Sequence, residues 1–258
     1  MADIVSNAIR THVQILGEGP REAVLIHGIV VDNLASMYFA LGNPLALLAR
    51  VILYDLRGHG KTERTADGYD LDNLLADLDG VIAATATSPS VYLVGHSYGG
   101  LLALSYAAQK PERVSGLVLL DPPLPLSGYG PSIAAIFCVQ GEERDRRIRE
   151  AYDGLHGNGE TRKRRRLSAT AESLVSDTSL LEDLRRSRAL DEADLARIRC
   201  PVLAFYGEGS EILTCREQLR ALIPHAEILT LPGCSHRVLL EATEKVREIT
   251  LEWMARQR

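Results

Sequence analysis

Ten residues, Val91-Tyr-Leu-Val-Gly-His-Ser-Tyr-Gly-Gly100, constrain this chain more than any other stretch. An apolar run enters Gly95-His96-Ser97-Tyr98-Gly99, and a helix-like segment from Leu101 to Lys110 follows, ending before Pro111. A strand that turns this sharply into a helix has no room for a Cβ on either side of the serine, which explains a glycine at both places. Such a backbone costs about 1–3 kcal/mol. It also lifts the Ser97 hydroxyl clear of the sheet edge, where the positive end of the next helix faces it. The stretch therefore reads as a nucleophile elbow, with a Gly-Ser-Gly loop of no chemical role as the competing reading.

An elbow needs a buried sheet beneath it. Ala23–Ile26 runs into His27-Gly28, Arg50–Asp55 into Leu56-Arg-Gly-His-Gly60, and Val114–Leu120 into Asp121-Pro-Pro123. Continuous apolar runs closed by glycine or proline are the pattern of strands covered on both faces. Thr11–Leu16 alternates weakly and predicts an early antiparallel strand, while residues 34–49 predict a loop and a helix. Leu71, Leu74, Leu75, Leu78, Val81 and Ile82 recur at helical spacing, with Asp72, Asp77 and Asp79 expected on the wet side. Strand and helix alternate in this way in a doubly wound, mostly parallel α/β sheet.

Between 122 and 199 the strands vanish and arginine and glutamate dominate, with helix-like stretches near 132–139, 142–153, 161–175 and 178–188. The segment is too long for a loop and is expected to be a helical lid inserted into a core formed by residues 1–121 and 200–258. The core resumes with a strand at 200–207, a helix at 214–222, a strand at 226–231 and a closing helix at 241–256. With 258 residues, 46% of them hydrophobic, the chain can bury one such core.

A formal charge of −5 argues against a nucleic-acid footprint. No basic-then-apolar leader and no membrane-length apolar run is visible, so the cytoplasm is the expected compartment and no membrane partner is expected. Four cysteines without C-x-x-C spacing predict neither a disulfide framework nor a metal site, and no cofactor is expected. The oligomeric state is not written in the sequence.

Serine needs a base, and His236 stands in the loop after the last strand, placed to reach back over the elbow. Imidazole can take the Ser97 proton and return it to a leaving group near neutral pH. Together, Ala23–Gly28, Asp55-Leu-Arg-Gly-His-Gly60, Gly95-His-Ser-Tyr-Gly99 and Gly233-Cys-Ser-His236 resemble the lidded α/β-hydrolase superfamily along nearly the whole chain outside the lid. That resemblance implies an oxyanion hole formed by the backbone N–H groups of Ile29 and Tyr98. It also implies that His27, Gly28 and His96 line the substrate side, and that His27, His59 and His96 are structural or lining residues and not chemical actors.

The third triad member departs from the family pattern. The usual acid follows the strand 202–207 as Gly-x-x-Asp, and here the chain reads Gly207-Glu-Gly-Ser210. Three carboxylates are candidates: Glu208, Glu211 and Asp121. Asp121 is preferred because the end of a buried strand holds a short side chain rigidly.

A basic stretch, Arg162-Lys-Arg-Arg-Arg166 with Arg144, Arg146, Arg147 and Arg149 nearby, reads either as a dock for an anionic or carrier-bound substrate or as a solvated helix face neutralised by Glu142, Glu143, Glu150 and Glu160. Leu124, Leu126, Ile133, Ile136 and Phe137 suit an apolar ceiling or packing on the core. The leading expectation is a serine hydrolase acting on an ester, thioester or lactone of a small to medium substrate. A lyase or cyclase using Ser97 and His236 only for proton transfer is the alternative, and a non-catalytic ligand receptor is the third reading.

Overall fold

The computed structural model describes residues 2–126, 142–143, 146 and 162–257, with side chains given outside 162–168. Eight strands form one sheet in the order β1-β2-β4-β3-β5-β6-β7-β8. They are Ala2–Ser6, Ile9–Leu16, Arg21–Ile26, Ala49–Tyr54, Val91–His96, Val114–Leu120, Val202–Gly207 and Glu227–Leu231. β1 pairs antiparallel with β2 and β2 with β4, and every pairing from β4 through β8 is parallel. β3, β5 and β7 are buried almost along their whole length, as their unbroken apolar runs require.

Two apolar layers cover the sheet. On one face Leu74, Leu78 and Val81 of the helix Leu71–Thr85 and Leu101, Leu102 and Leu104 of the elbow helix Tyr98–Gln109 pack on Val24, Leu93 and Leu117. On the other, Trp253 and Val246 of the helix Thr243–Arg256 meet Tyr92, Val94 and Val118. Each large side chain buried this way is worth about 1.5–3 kcal/mol. No helix among the described residues is long and apolar enough to cross a membrane.

Several local expectations need correction. The first hairpin has a partner strand, Ala2–Ser6, whose mostly exposed residues carry no buried pattern to announce it. Residues 34–49 form a helical turn Leu34–Met37, a π-helical turn Tyr38–Gly42 and a further short turn Asn43–Leu45. The elbow helix begins at Tyr98, directly after the serine, and not at Leu101.

Asp77 is not on the wet side: it is 2% exposed and grips Arg57 through two hydrogen bonds of 2.9 and 2.7 Å, with Asn7 adding a third donor at 2.8 Å. The pair ties the helix Leu71–Thr85 to the loop after β4. Removing one partner strands a buried charge, so Asp77→Ala is expected to cost about 3–5 kcal/mol in urea unfolding, whereas replacing both partners with apolar residues costs less.

Between β6 and β7 the chain leaves the sheet. Its described helices are Arg162–Ser176, Leu180–Arg186 and Glu192–Leu195, the last unforeseen, while the stretch expected at 132–139, and all of the one expected at 142–153 but residues 142, 143 and 146, lie outside the described residues. Leu174, Leu180, Leu184 and Leu195 join the apolar layer of the core. Polar clasps reinforce that contact: Asp183 Oδ2 accepts the N–H groups of Gly68 and Tyr69, and Arg64 donates to Ser173 Oγ and the Thr170 carbonyl. Leu124 is buried in the same layer and Leu126 packs against it. The other ceiling candidates, Ile133, Ile136 and Phe137, fall outside the described residues.

Candidate active site

Ser97 caps the elbow helix with φ 53° and ψ −121°, a backbone conformation that L side chains rarely adopt. The close turn explains the glycines: a Cβ on Gly95 would stand 2.3 Å from the Gly99 carbonyl oxygen, and one on Gly99 would stand 2.2 Å from that of Ile26. Ser97 N–H donates to the Leu120 carbonyl at 2.9 Å, so the elbow is tied to the neighbouring strand β6.

His236 arrives from the loop after β8. Its Nε2 lies 2.8 Å from Ser97 Oγ, and its Nδ1 lies 2.6 Å from Asp121 Oδ2. An ionised carboxylate only accepts, so Nδ1 carries the hydrogen and Nε2 is left to accept from the serine hydroxyl. The loop is fastened on both sides of the imidazole. Glu241 accepts the Ser235 N–H at 2.6 Å, Glu208 accepts the Gly233 N–H at 3.0 Å, and Gly209 N–H donates to the Cys234 carbonyl at 2.9 Å.

Asp121 is fully buried at the end of β6 and has φ 47°. His96 and Leu120 are register partners in β5 and β6, so the residues that follow them, Ser97 and Asp121, leave adjacent strands side by side. Besides His236, the carboxylate accepts the Gly207 N–H at 2.8 Å on Oδ1 and the Ser210 hydroxyl at 2.5 Å on Oδ2. Ser210, in the place where the family pattern puts the acid, thus donates to the carboxylate that stands in contact with the imidazole. The other two candidates are elsewhere: Glu208 holds the histidine loop by its backbone, and Glu211 is exposed.

The amides of Ile29 and Tyr98 donate no hydrogen bond among the described residues, as an oxyanion site requires. The loop that carries Ile29 is held from behind. Val30, with φ 72°, donates its N–H to His59 Nε2 at 2.8 Å, and His59 Nδ1 faces the Arg57 carbonyl at 2.8 Å. Burial pushes the His59 imidazole down to about 3, which keeps its Nε2 bare for that amide.

His27 is corrected as a lining residue: it is 0% exposed, Nδ1 faces the Gly28 carbonyl and Nε2 accepts the Leu56 N–H. Gly28 does lie against the site, since a Cβ there would come within 3.6 Å of Ser97 Cβ. His96 is buried too and stacks on the His236 ring.

One residue of this neighbourhood escaped the sequence reading. Asp32 is 4% exposed and accepts the Gly28 N–H at 3.0 Å and the Asn33 N–H at 2.8 Å. Burial, the largest single influence, raises a carboxyl, but the neighbouring imidazoles, His96 first, together with Ser36 outweigh it, and Asp32 is held well below the ordinary range. The only signal in the sequence was a carboxylate four residues beyond Gly28 in an otherwise apolar loop.

The basic stretch contributes little that can be placed. Arg146 is exposed and pairs with Glu143 at 2.7 Å, as a solvated helix face would. Arg144, Arg147 and Arg149 lie outside the described residues.

The chain is 30% identical over 264 residues to the pimeloyl-acyl-carrier-protein methyl ester esterase of Xanthomonas oryzae pv. oryzae, covering 95% of this chain and 98% of that one. It is also 30% identical over 264 residues to the dihydrolipoyllysine-residue acetyltransferase component of the acetoin cleaving system of Pseudomonas putida, covering 92% of this chain and 64% of that longer protein. Among solved structures, an esterase from Exiguobacterium antarcticum superposes with a TM-score of 0.81 at 20% identity, covering 98% of each chain, a likeness of fold. The sequence matches the Alpha/beta hydrolase family over residues 23–249, which takes in the elbow, both strands that flank it and the His236 loop. By that match and by its sheet, the chain belongs to the Alpha/beta hydrolase family.

Proposed function

We propose that this protein is a serine hydrolase that cleaves a carboxylic ester or thioester of a small to medium organic acid. The observation that carries this reading is the unbroken contact from Ser97 Oγ through His236 to Asp121, at 2.8 and 2.6 Å. Ser97 Oγ attacks the substrate carbonyl carbon while His236 Nε2 takes its proton. The carbonyl oxygen becomes an oxyanion that receives the N–H groups of Ile29 and Tyr98, each such donor contributing about a hundred- to a thousandfold in kcat. Collapse expels the alcohol or thiol, which leaves with the proton held by His236. Water, deprotonated by the same imidazole, then releases the acid from Ser97. Asp121 orients the ring and stabilises its charge throughout.

In this reading residues 122–199 are a helical insertion that roofs the site, and the substrate enters beneath it. An acyl chain presented on a carrier protein is the substrate class favoured by the relative that aligns over its full length, since its name specifies an acyl-carrier-protein ester. The arginine-rich stretch 162–166 suits an acidic carrier. What favoured a lyase or cyclase was the missing Gly-x-x-Asp acid, and a carboxylate 2.6 Å from His236 supports the hydrolase reading over it.

The test is a fluorophosphonate probe with mass spectrometry, run beside p-nitrophenyl ester, acyl-thioester and lactone substrates. A single adduct on Ser97 with turnover of an ester or thioester is expected. An adduct without any turnover would transfer the case to the lyase or cyclase, and folded protein that shows neither would leave a receptor.

A further inference from the structure

The relay from Ser97 to Asp121 leaves a second buried carboxylate, Asp32, unexplained. Two amide donors suit its ionised form, and a buried anion requires a cation close by. Three imidazoles lie within its electrostatic reach: His27, His59 and His96. Two of them are committed to the neutral form. His27 and His59 each accept a backbone N–H at Nε2, from Leu56 at 3.0 Å and from Val30 at 2.8 Å, and a proton there would break that bond.

His96 is different. Its Nδ1 has no hydrogen-bond partner among the described residues and lies 3.6 Å from Asp32 Oδ2, while its Nε2 lies 3.5 Å from the His236 carbonyl oxygen. Both neighbours are acceptors. A neutral ring would set one lone pair against an oxygen, whereas an imidazolium points an N–H at each. We infer that the proton balancing Asp32 resides on His96, so that an Asp32–His96 ion pair stands directly behind the base.

The rings of His96 and His236 stack with centroids 5.7 Å apart and 29° between their planes. A fixed positive charge at that separation opposes a second proton on His236 and keeps the base in its accepting form into mildly acidic solution. The other groups facing the two rings are His27 and His59 beyond Asp32, Ser97 on the elbow, Arg237 paired with Glu241, and Asp121, whose charge acts in the opposite direction. Asp32 also fixes Gly28, one residue before the proposed oxyanion donor Ile29, so a single carboxylate joins the oxyanion loop to the base.

The kinetic half of this inference rests on the serine-hydrolase reading, and the structural half does not. In full-length protein labelled with nitrogen-15, imidazole spectra at pH 7 should show one buried histidine with both nitrogens protonated, its signals absent from His96→Asn. His27 and His59 should each show one bare nitrogen. A bare nitrogen on His96 overturns the inference. His12 is also buried and faces a carboxylate, Asp3, at 2.9 Å, so His12→Gln identifies its signals. With those set aside, the wild-type spectrum contains one doubly protonated buried ring or none and decides the matter even where His96→Asn does not fold.

For p-nitrophenyl acetate, the acidic limb of kcat/KM should move to higher pH by about half a unit or more in His96→Asn, and by less in Asp32→Asn, which removes an opposing negative charge along with the proton on His96. An unmoved limb with a doubly protonated His96 overturns the electrostatic role. Absence of esterase turnover in the wild type removes the hydrolase reading, while the spectrum still tests the proton on His96.

Discussion

Ser97→Gly should lower ester turnover by about six decades in kcat and at the same time make the protein more stable. The first effect follows from the proposed nucleophile: no other hydroxyl stands within reach of His236 Nε2 among the described residues. The second follows from the backbone. At φ 53° and ψ −121° a side chain costs about 1–3 kcal/mol, and glycine accepts the conformation while giving back about 0.5–1 kcal/mol in chain entropy. The net gain of about 1 kcal/mol should appear as a rise of about 2–4 °C in Tm for a chain of this size. Ser97→Ala keeps the Cβ, so it should lose the same activity without the rise. Calorimetry on both variants beside a p-nitrophenyl ester assay checks the pair. Equal melting temperatures would mean that the elbow stores no strain.

Asp121→Asn should lower kcat by about four decades, because an amide in place of the carboxylate lets the imidazole adopt the wrong tautomer and leaves its charge unsupported. The same assay should find Glu208→Gln within about threefold of wild type, since glutamine can still accept the Gly233 N–H. Glu211→Gln, on an exposed side chain, should be silent. Ser210→Ala should fall between these limits, at about tenfold, because it takes one of three donors from the carboxylate and leaves His236 in place. Wild-type turnover in Asp121→Asn together with collapse in either glutamate variant would assign the acid elsewhere.

Much of this was written in local patterns. Val91–His96 and Val202–Gly207 are buried on both faces, and an unbroken apolar run has few other uses, so the strands beneath the site were legible. The elbow was legible for a steric reason, since only glycine fits beside the Ile26 and Gly99 carbonyls.

What escaped depends on partners distant in sequence. Asp77 looks like any wet helix position until Arg57 is placed against it, and helical spacing holds no record of that pairing. Nothing adjacent to Asp32 in sequence reveals that His96 lies beside it. Asp121 was preferred on the rigidity of a strand end, but what sets it beside Ser97 is that β6 borders β5, a fact of sheet order and not of residue type.

The placement of Asp121 has an engineering consequence. It is the last residue before the excursion out of the sheet, and Pro122 after it packs over Gly100 of the elbow helix and accepts the Tyr206 hydroxyl at 3.0 Å. The two seams of the excursion are therefore unequal as graft points. A foreign insertion joined near residue 199 meets the start of β7, whereas one joined at 122 would tug on the carboxylate and the serine together. Chimeras that exchange substrate preference should keep Asp121 through Pro123 from this chain and change the sequence only beyond them.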